Sequence, residues 1–480
     1  MVDAFQRIAE TLIEFMGRES VKIDPEHTAR YAVDGIAPKA VVFPADIEQV
    51  AKAVKFANRE RMAIIPWGSG TKVGIGNPPD HLDVVVSTAR LNQMTDVDTA
   101  NLTMTVQAGV RIKDIQTRLV SEENRCYLPM VDPVTEAEAL ICSDRENTGC
   151  FFPLDPMFGD QATIGGVVAG NTSGPRRLLY GLPRDLVLGV RFVAPNGDII
   201  GTGGKTVKNV SGYDVSKLMI GSWGTLGILC EMTLRLLPLP ERMETLRLVF
   251  SSLSDAEGFI DRLFETKLLP AAVEILNERA FKRLGVADSS AADLSNWLVA
   301  VALEGCDEAV DRMRTELQGM AGDFGAGGTT HLPEDAHREF WQKVSNLEIS
   351  LATQFPGMIT LKLNYPISQW KKVISMATRT LNAYEIDHAL LAHAGNGICI
   401  INLLMGEGIA ATKDKRVQAV DALFHSCREM GGNLLVQRAP VVLKPHLPIW
   451  GDSGPHWRVM KWIREQLDPN GIMSPGRFLR

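Results

Sequence analysis

The stretch AIIPWGSGTKVGIGNPPD, residues 63–80, sets four glycines into the nine positions 68–76, directly after a short apolar run. A glycine-rich loop that follows a strand lets backbone come close to a phosphate. The two most familiar phosphate sites predict different surroundings. A P-loop needs G-x-x-x-x-G-K-S/T, whose lysine reaches the terminal phosphates and whose hydroxyl holds magnesium. Here Lys72 follows Thr71 and precedes Val73, so that pattern is absent. A Rossmann fingerprint needs a helix that starts inside the glycine run. Asn77-Pro78-Pro79-Asp80 stands there instead, and two prolines oppose a continuing helix. LDVVVS (82–87) then reads as a strand. The order is strand, glycine loop, strand, and both nucleotide readings fail on context.

Outward from the loop, PKAVVFP (38–44) and NLTMTVQAG (101–109) read as strands, and 45–61 and RIKDIQTRLVSEE (111–123) as helices, the former with Asp46 near its start. A second glycine-rich block runs from about 159 to 231 and contains a hairpin, LVLGVRFVAPNGDII, turned by Asn196-Gly197. Taken singly its glycines read as turns. Their clustering in two separated blocks points instead to a large flat or charged ligand.

From about 240 to 430, segments such as DAEGFIDRLFE, DEAVDRMRTELQGMA and PISQWKKVISMATRTL have helical periodicity. ETLRLVFSS, NWLVAVALEG, MITLKLNYP and ICIINLLMG alternate with them as strands, which predicts an antiparallel sheet with helices packed on one face. GMAGDFGAGGTTHLPEDA (319–336) reads as a loop. The last stretch is a helix ended by Asp468-Pro469-Asn470-Gly471 and a short tail.

At 480 residues the chain is long enough for two or three domains. A net charge of -7 gives no support for nucleic-acid binding, which usually shows a basic stripe. No run of eighteen apolar residues predicts a transmembrane segment. The opening MVDAFQRIAETLIEFMGRES reads as an amphipathic helix and not as a signal peptide. Seven scattered cysteines without C-x-x-C spacing fit a reducing compartment, the cytoplasm, and argue against a zinc or iron–sulfur site in this chain. Most read as buried, inert thiols.

The loop PWGSGT, the block DQATIGGVVAGNTSG, the Tyr180-Gly181 pair, GTLGILCEMTLRLLP and the closing LDPNGIMSPGRF resemble, in that order, the vanillyl-alcohol oxidase/p-cresol methylhydroxylase family of flavoproteins. The likeness covers most of the chain and is strongest over 38–237. It implies an α+β fold with a two-subdomain FAD-binding domain at 35–237, preceded by a helical segment at 1–34. A cap domain follows at 238–440, and a C-terminal segment at 441–480 returns to the FAD domain. The cofactor implied is FAD, with the pyrophosphate wrapped by backbone N–H groups of the glycine loop, an anion nest that needs neither helix nor lysine. Matching positions assign Pro66, Gly68, Ser69, Gly70 and Thr71 to the pyrophosphate. Asp155, Thr163, Gly165, Gly166 and Asn171 would run along the pyrophosphate, ribityl chain or flavin edge. Gly227 and Ile228 would lie beside the adenine or ribityl portion, and Arg477 would contact cofactor or anchor the terminus. No histidine falls between His81 and His331, so the resemblance implies noncovalent FAD.

Within the family the nearest groups are the glycolate and D-lactate dehydrogenases, whose catalytic D-type subunit carries H-A-G-D-G-N-x-H and, later, E-H-G. Here the first stretch reads His393-Ala394-Gly395-Asn396-Gly397-Ile398-Cys399-Ile400, so Ile400 replaces the second histidine, and 432–440 contains no E-H-G. The metal set is incomplete and no metal is expected. Arg438-Ala439-Pro440 is similar instead to the E-type FAD-binding subunit of glycolate oxidase, which works with a D-type flavoprotein and an iron–sulfur subunit. That resemblance implies a redox subunit of a 2-hydroxyacid dehydrogenase complex, with any membrane contact peripheral and made through partners. Two alternatives stay open: a self-sufficient, metal-independent 2-hydroxyacid dehydrogenase using His393 and Arg438, and a non-catalytic scaffold with structural FAD. His393 reads as a base or as a satisfied core histidine. Arg438 reads as a substrate or flavin contact, or as a structural ion pair. The added length around 130–160 reads as a surface insertion or a partner-docking element.

Overall fold

The computed structural model describes residues 2–121, 130–131, 138–139, 149–205, 213–285, 296–405, 415–452 and 454–478. Residues 132–137 and 140–148 of the 130–160 insertion, with Cys142, lie outside them, as does Cys126.

Ala40–Val42, Ile64–Trp67 and Val84–Ser87 are short, rich in β-branched residues and nearly fully buried, as strands covered on both faces must be. They run parallel with Val84–Ser87 in the middle, and Val21–Lys22 adds an antiparallel edge. The helix Ile47–Glu60 makes the crossover. Its Asp46 carboxylate accepts the Gln49 N–H at 2.7 Å, and Arg61 ends it in the left-handed region at φ 54°.

A second, five-stranded antiparallel sheet has the order Ile199–Gly203, Val187–Val193, Ile228–Arg235, Thr103–Gln107, Met94–Asp98. The expected hairpin is present, with Gly197 at φ 86° in its turn.

The third sheet has eight antiparallel strands, in the order Gly328–Leu332, Arg242–Phe250, Trp297–Gly305, Ala272–Asn277, His388–His393, Ile398–Leu403, Ile359–Asn364, Asn433–Arg438. The amphipathic helices Leu253–Glu265, Asp307–Asp323, Trp370–Ala383 and Lys415–Glu429 bury their apolar stripes on one face, with Val299, Val301, Leu361 and Leu390 among the strand residues below them. Shorter helices, Glu278–Arg283, Glu334–Ser345 and Leu347–Gln354, cover part of the other face. The stretch 319–336 is not the loop its glycines suggest. The helix continues to Asp323, and Gly328–Leu332 alternates half-buried and exposed residues as an edge strand beside Arg242–Phe250.

Two devices join these parts. Arg176 donates to both carboxylate oxygens of Glu304, which also accepts the Tyr180 hydroxyl at 2.6 Å. Burial alone would raise Glu304, but Arg176, His337 and Tyr180 bring it down to about 2, so it stays ionised. The C-terminal tail also returns: the Ile64 N–H donates to Ile472 O at 2.7 Å, and the Ser474 N–H to Ile64 O at 2.8 Å. The strand that feeds the glycine loop is therefore held from both sides.

Candidate functional site

Two adjoining cavities lie along this construction. The first is walled by the glycine loop 66–73, the turn and short helix around Thr163–Gly170, and segments 222–229 and 474–477. Its glycines are sterically required. A Cβ on Gly68 would stand 2.2 Å from Thr163 Oγ1, and one on Gly165 would stand 2.8 Å from both Ala108 Cβ and Ala108 O. Gly70 is at φ 78° and Gly224 at φ 68°, where side chains are strained. The N–H groups of Ser69, Gly70 and Thr71 donate to no described backbone or side chain. Ser222 Oγ, in the wall, and Asn171 Oδ1 are buried without a hydrogen-bond partner. A cleft of free N–H groups with an unpaired side-chain oxygen in its wall suits a ligand rich in phosphate oxygens and hydroxyls, and FAD fits that description.

Pro66, Gly68, Ser69, Gly70, Thr71, Thr163, Gly165, Gly166, Gly227, Ile228 and Arg477 all line this cleft, so the structure brings most of the expected residues together. Three of the expected residues are placed differently. Asp155 does not line it: its carboxylate accepts the Gly174 and Arg176 N–H groups at 3.0 and 3.1 Å. Burial pushes it up to about 6 against the pull of Arg176, and its work is to fold the 174–176 turn. Arg477 touches the cleft, but its guanidinium is committed to Asp34 and to the Val73, Ile75 and Asn77 carbonyls. It braces the loop from behind. Asn171, at φ 46°, lies between Gly170 of the first cavity and Thr172 of the second and is not among the lining residues of either.

The second cavity, of about 440 Å³, opens from Gly70–Lys72 toward the face of the eight-stranded sheet opposite the four amphipathic helices. Strand alternation decides what projects there. Leu361 and Leu363 point into the helix-covered core, so Lys362 faces the cavity. Val273 and Ile275 do the same, which turns Glu274 to the opposite face. Glu274 and His393 are directly paired residues of neighbouring strands. His393 is 4% exposed and its Nδ1 lies 2.5 Å from Glu274 Oε1, so Nε2 is the ring nitrogen left for the cavity. Burial, then Arg177 and Lys362, push His393 down to about 3, and burial raises Glu274 well above the ordinary carboxylate range.

Four cations line the same cavity: Lys72, Arg177, Lys362 and Arg438. Arg438 donates through Nε to the buried Glu348 carboxylate at 2.9 Å, so its ion-pair reading holds while it still faces the cavity. Lys72 Nζ reaches Thr172 Oγ1 at 2.8 Å. The side chains of Arg177 and Lys362 have no hydrogen-bond or ion-pair partner among the described residues. Two half-buried, unpartnered cations facing one cavity make an anion site. Burial, followed by Arg177, brings Lys362 down to about 8.

Sequence reading missed Lys72, Arg177, Lys362, Glu274 and Glu348. A signal existed for two of them: Lys362 interrupts the apolar run MITLKLNY, and Glu274 interrupts AAVEIL. Among the described residues no group of three potential metal ligands occurs, and no helix is long and apolar enough to cross a membrane. Cys230, Cys399 and Cys427 are buried free thiols, Cys150 is buried, and Cys306 is exposed.

Known proteins match this architecture. The FAD binding domain family model matches residues 38–134 and 145–203, and the FAD linked oxidases, C-terminal domain model matches 239–478. Glycolate oxidase subunit GlcD of Bacillus subtilis is 29% identical, over 98% of this chain and 96% of that protein. The mitochondrial cytochrome D-lactate dehydrogenase of Arabidopsis thaliana is 25% identical, over 95% of this chain and 75% of that one. Among solved structures, 4-ethylphenol oxidase from Gulosibacter chungangensis shares the fold, with TM-score 0.74 at 16% identity over 100% of this chain and 98% of that one.

Proposed function

We propose that this chain, which belongs to the FAD-linked oxidases, oxidises a small 2-hydroxy carboxylate in the cationic cavity beside the FAD cleft. The observation that carries this reading is the convergence of unpartnered Arg177 and Lys362 on the cavity that holds the His393–Glu274 pair. FAD, when bound, supplies the two-electron acceptor that such an oxidation needs. Arg177 and Lys362 bind the substrate carboxylate. His393, neutral in this environment, takes the hydroxyl proton at Nε2, and Glu274 holds the ring through Nδ1 and stabilises the imidazolium that results. Loss of that proton and of a hydride from the α-carbon leaves a 2-oxo acid.

The reading extends to the chain's setting. The Arg438-Ala439-Pro440 segment and the incomplete metal set favour the E-type FAD-binding subunit of a glycolate/D-lactate-type complex, with a D-type flavoprotein and an iron–sulfur subunit as electron-accepting partners. The Arg438–Glu348 pair keeps Arg438 at the cavity wall with its charge matched by the carboxylate.

The test is the visible spectrum of the purified yellow chain under anaerobic conditions, before and after glycolate or D-lactate. Bleaching is expected without added metal and in the presence of a chelator. A spectrum that stays oxidised with both acids, while a partner flavoprotein restores bleaching, would remove substrate oxidation from this cavity and leave a relay subunit.

The same groups fix a pH dependence. The base form requires the His393–Glu274 pair to have lost a proton, so kcat/KM rises with pH through an apparent pKa above the ordinary carboxylate range. It falls again above about pH 8, as Lys362 loses the charge that holds the carboxylate. A bell-shaped profile is expected, and Lys362→Arg should push its alkaline limb upward. An alkaline limb unmoved by that substitution would take Lys362 out of substrate binding.

A further inference from the structure

Gly70, Thr71 and Lys72 border both cavities, and of the three only Lys72 carries a charge. The redox-active end of FAD has to lie where the cofactor cleft meets the substrate cavity, because hydride transfer requires contact. The charge inventory of the second cavity leaves Lys72 unassigned. Arg438 is matched by Glu348, and Arg177 and Lys362 are enough for one carboxylate. Lys72 is half-buried, its ammonium hydrogen-bonded to the neutral Thr172 Oγ1, and it makes no ion pair among the described residues.

We propose that Lys72 tunes the bound FAD: its ammonium, fixed at the seam of the two cavities, stabilises the negative charge that the isoalloxazine gains on two-electron reduction and so raises the cofactor's reduction potential. Two electrons and one proton convert the neutral oxidised ring to an anionic reduced ring, and a fixed cation beside it favours that product over the reactant. Thr172 has the role of a tether that keeps the ammonium at this point and away from the Arg438–Glu348 pair. The inference rests on FAD occupying the cleft and on the proposed substrate site being the second cavity, not on which hydroxy acid binds there.

A second consequence is a link to pH. Burial brings Lys72 down to about 8 in the cofactor-free site, with Glu348 opposing the shift and Lys362 adding to it. An anionic reduced ring would raise it again. Above about pH 8, reduction therefore draws one extra proton onto Lys72, and the potential falls more steeply with pH than it does below 8.

The experiment is spectroelectrochemical titration of the holoprotein without any substrate, for wild type, Lys72→Met, Lys72→Arg and Thr172→Val, with flavin content checked by absorbance. Lys72→Met is expected to weaken two-electron reduction at least tenfold, about 30 mV, and to lose the break in pH slope. Lys72→Arg keeps the charge and should stay close to wild type at pH 7. Thr172→Val should shift the potential in the same direction as Lys72→Met, by less. A Lys72→Met protein with full flavin content and an unchanged potential overturns the proposal. If that variant retains no FAD, an unchanged potential in Thr172→Val overturns it instead. Because no hydroxy acid is present, failure of the substrate reading leaves these outcomes legible.

Discussion

Replacing His393 by glutamine should slow reduction of the bound flavin by substrate about 10²–10⁴-fold, the usual contribution of a positioned general base, while FAD binding and the substrate dissociation constant change little. Glutamine is similar in reach and can still hydrogen-bond to Glu274, so the expected loss is chemical. The size follows from the site. His393 is 4% exposed, and its other ring nitrogen is already taken by a fully buried glutamate. Bulk water cannot readily substitute for it as proton acceptor. The variant also separates two roles. A histidine that only packs the sheet would give an unfolding midpoint that moves with the rate. A base gives a rate that falls with the midpoint unchanged. Single-turnover stopped-flow reduction, read beside urea unfolding of the same preparation, distinguishes them. Glu274→Gln should slow the reaction less and shift the acid limb of the pH profile, because it keeps the hydrogen bond and removes the charge. A His393→Gln enzyme that reduces at the wild-type rate would return His393 to the core.

The glycine-lined cleft was legible in the sequence and the cationic cavity was not, for a physical reason. Gly68, Gly70, Gly165 and Gly224 are favoured by close approach of neighbouring atoms or by left-handed φ, constraints that glycine meets with least strain, so the requirement is written locally. Arg177, Glu274, Lys362 and His393 come from a short helix and three strands far apart in the chain. They meet because sheet order sets the strands of Glu274 and His393 side by side and because alternation turns Lys362 to the same face. Alternation can be read from sequence, but sheet order cannot. Asp155 and Arg477 show the opposite error. Both lie in stretches that resemble a flavin site, yet their side chains satisfy backbone groups of the loops that form it. The glycine-rich 319–336 stretch misled in a third way: Gly319 and Gly322 lie inside a helix anchored by buried Val310, Met313 and Leu317, and only Gly328 enters the edge strand.

Asp34→Ala should destabilise the fold by about 3–5 kcal/mol and weaken FAD binding at the same time. Asp34 is the only carboxylate that pairs with two buried cations, Lys444 and Arg477, among the described residues. Lys444 Nζ meets its oxygens at 2.7 and 2.8 Å and also reaches Gly74 O and Gly76 O. Arg477 holds the carbonyls of Val73, Ile75 and Asn77. Five consecutive carbonyl positions of the glycine loop, 73–77, are thus captured by two cations whose charge rests on one side chain. Removing it leaves two positive charges buried without compensation, and the cheapest relief is for water to enter and the loop to move away. The free N–H groups of Ser69–Thr71, a few residues upstream, would then lose the alignment an anion nest requires. A cost of about 1.4 kcal/mol in that alignment alone makes FAD binding tenfold weaker. Asp34→Asn, which keeps some of the hydrogen bonds and loses the charge, should be intermediate in both respects. The checks are the urea midpoint of the apoprotein and the FAD dissociation constant from flavin fluorescence. If Asp34→Ala unfolds within about 0.5 kcal/mol of wild type, the two cations have another counter-charge and the brace does not depend on Asp34. If stability falls and FAD affinity holds, the nest is set by the Gly68–Thr163 contact and not by the loop behind it.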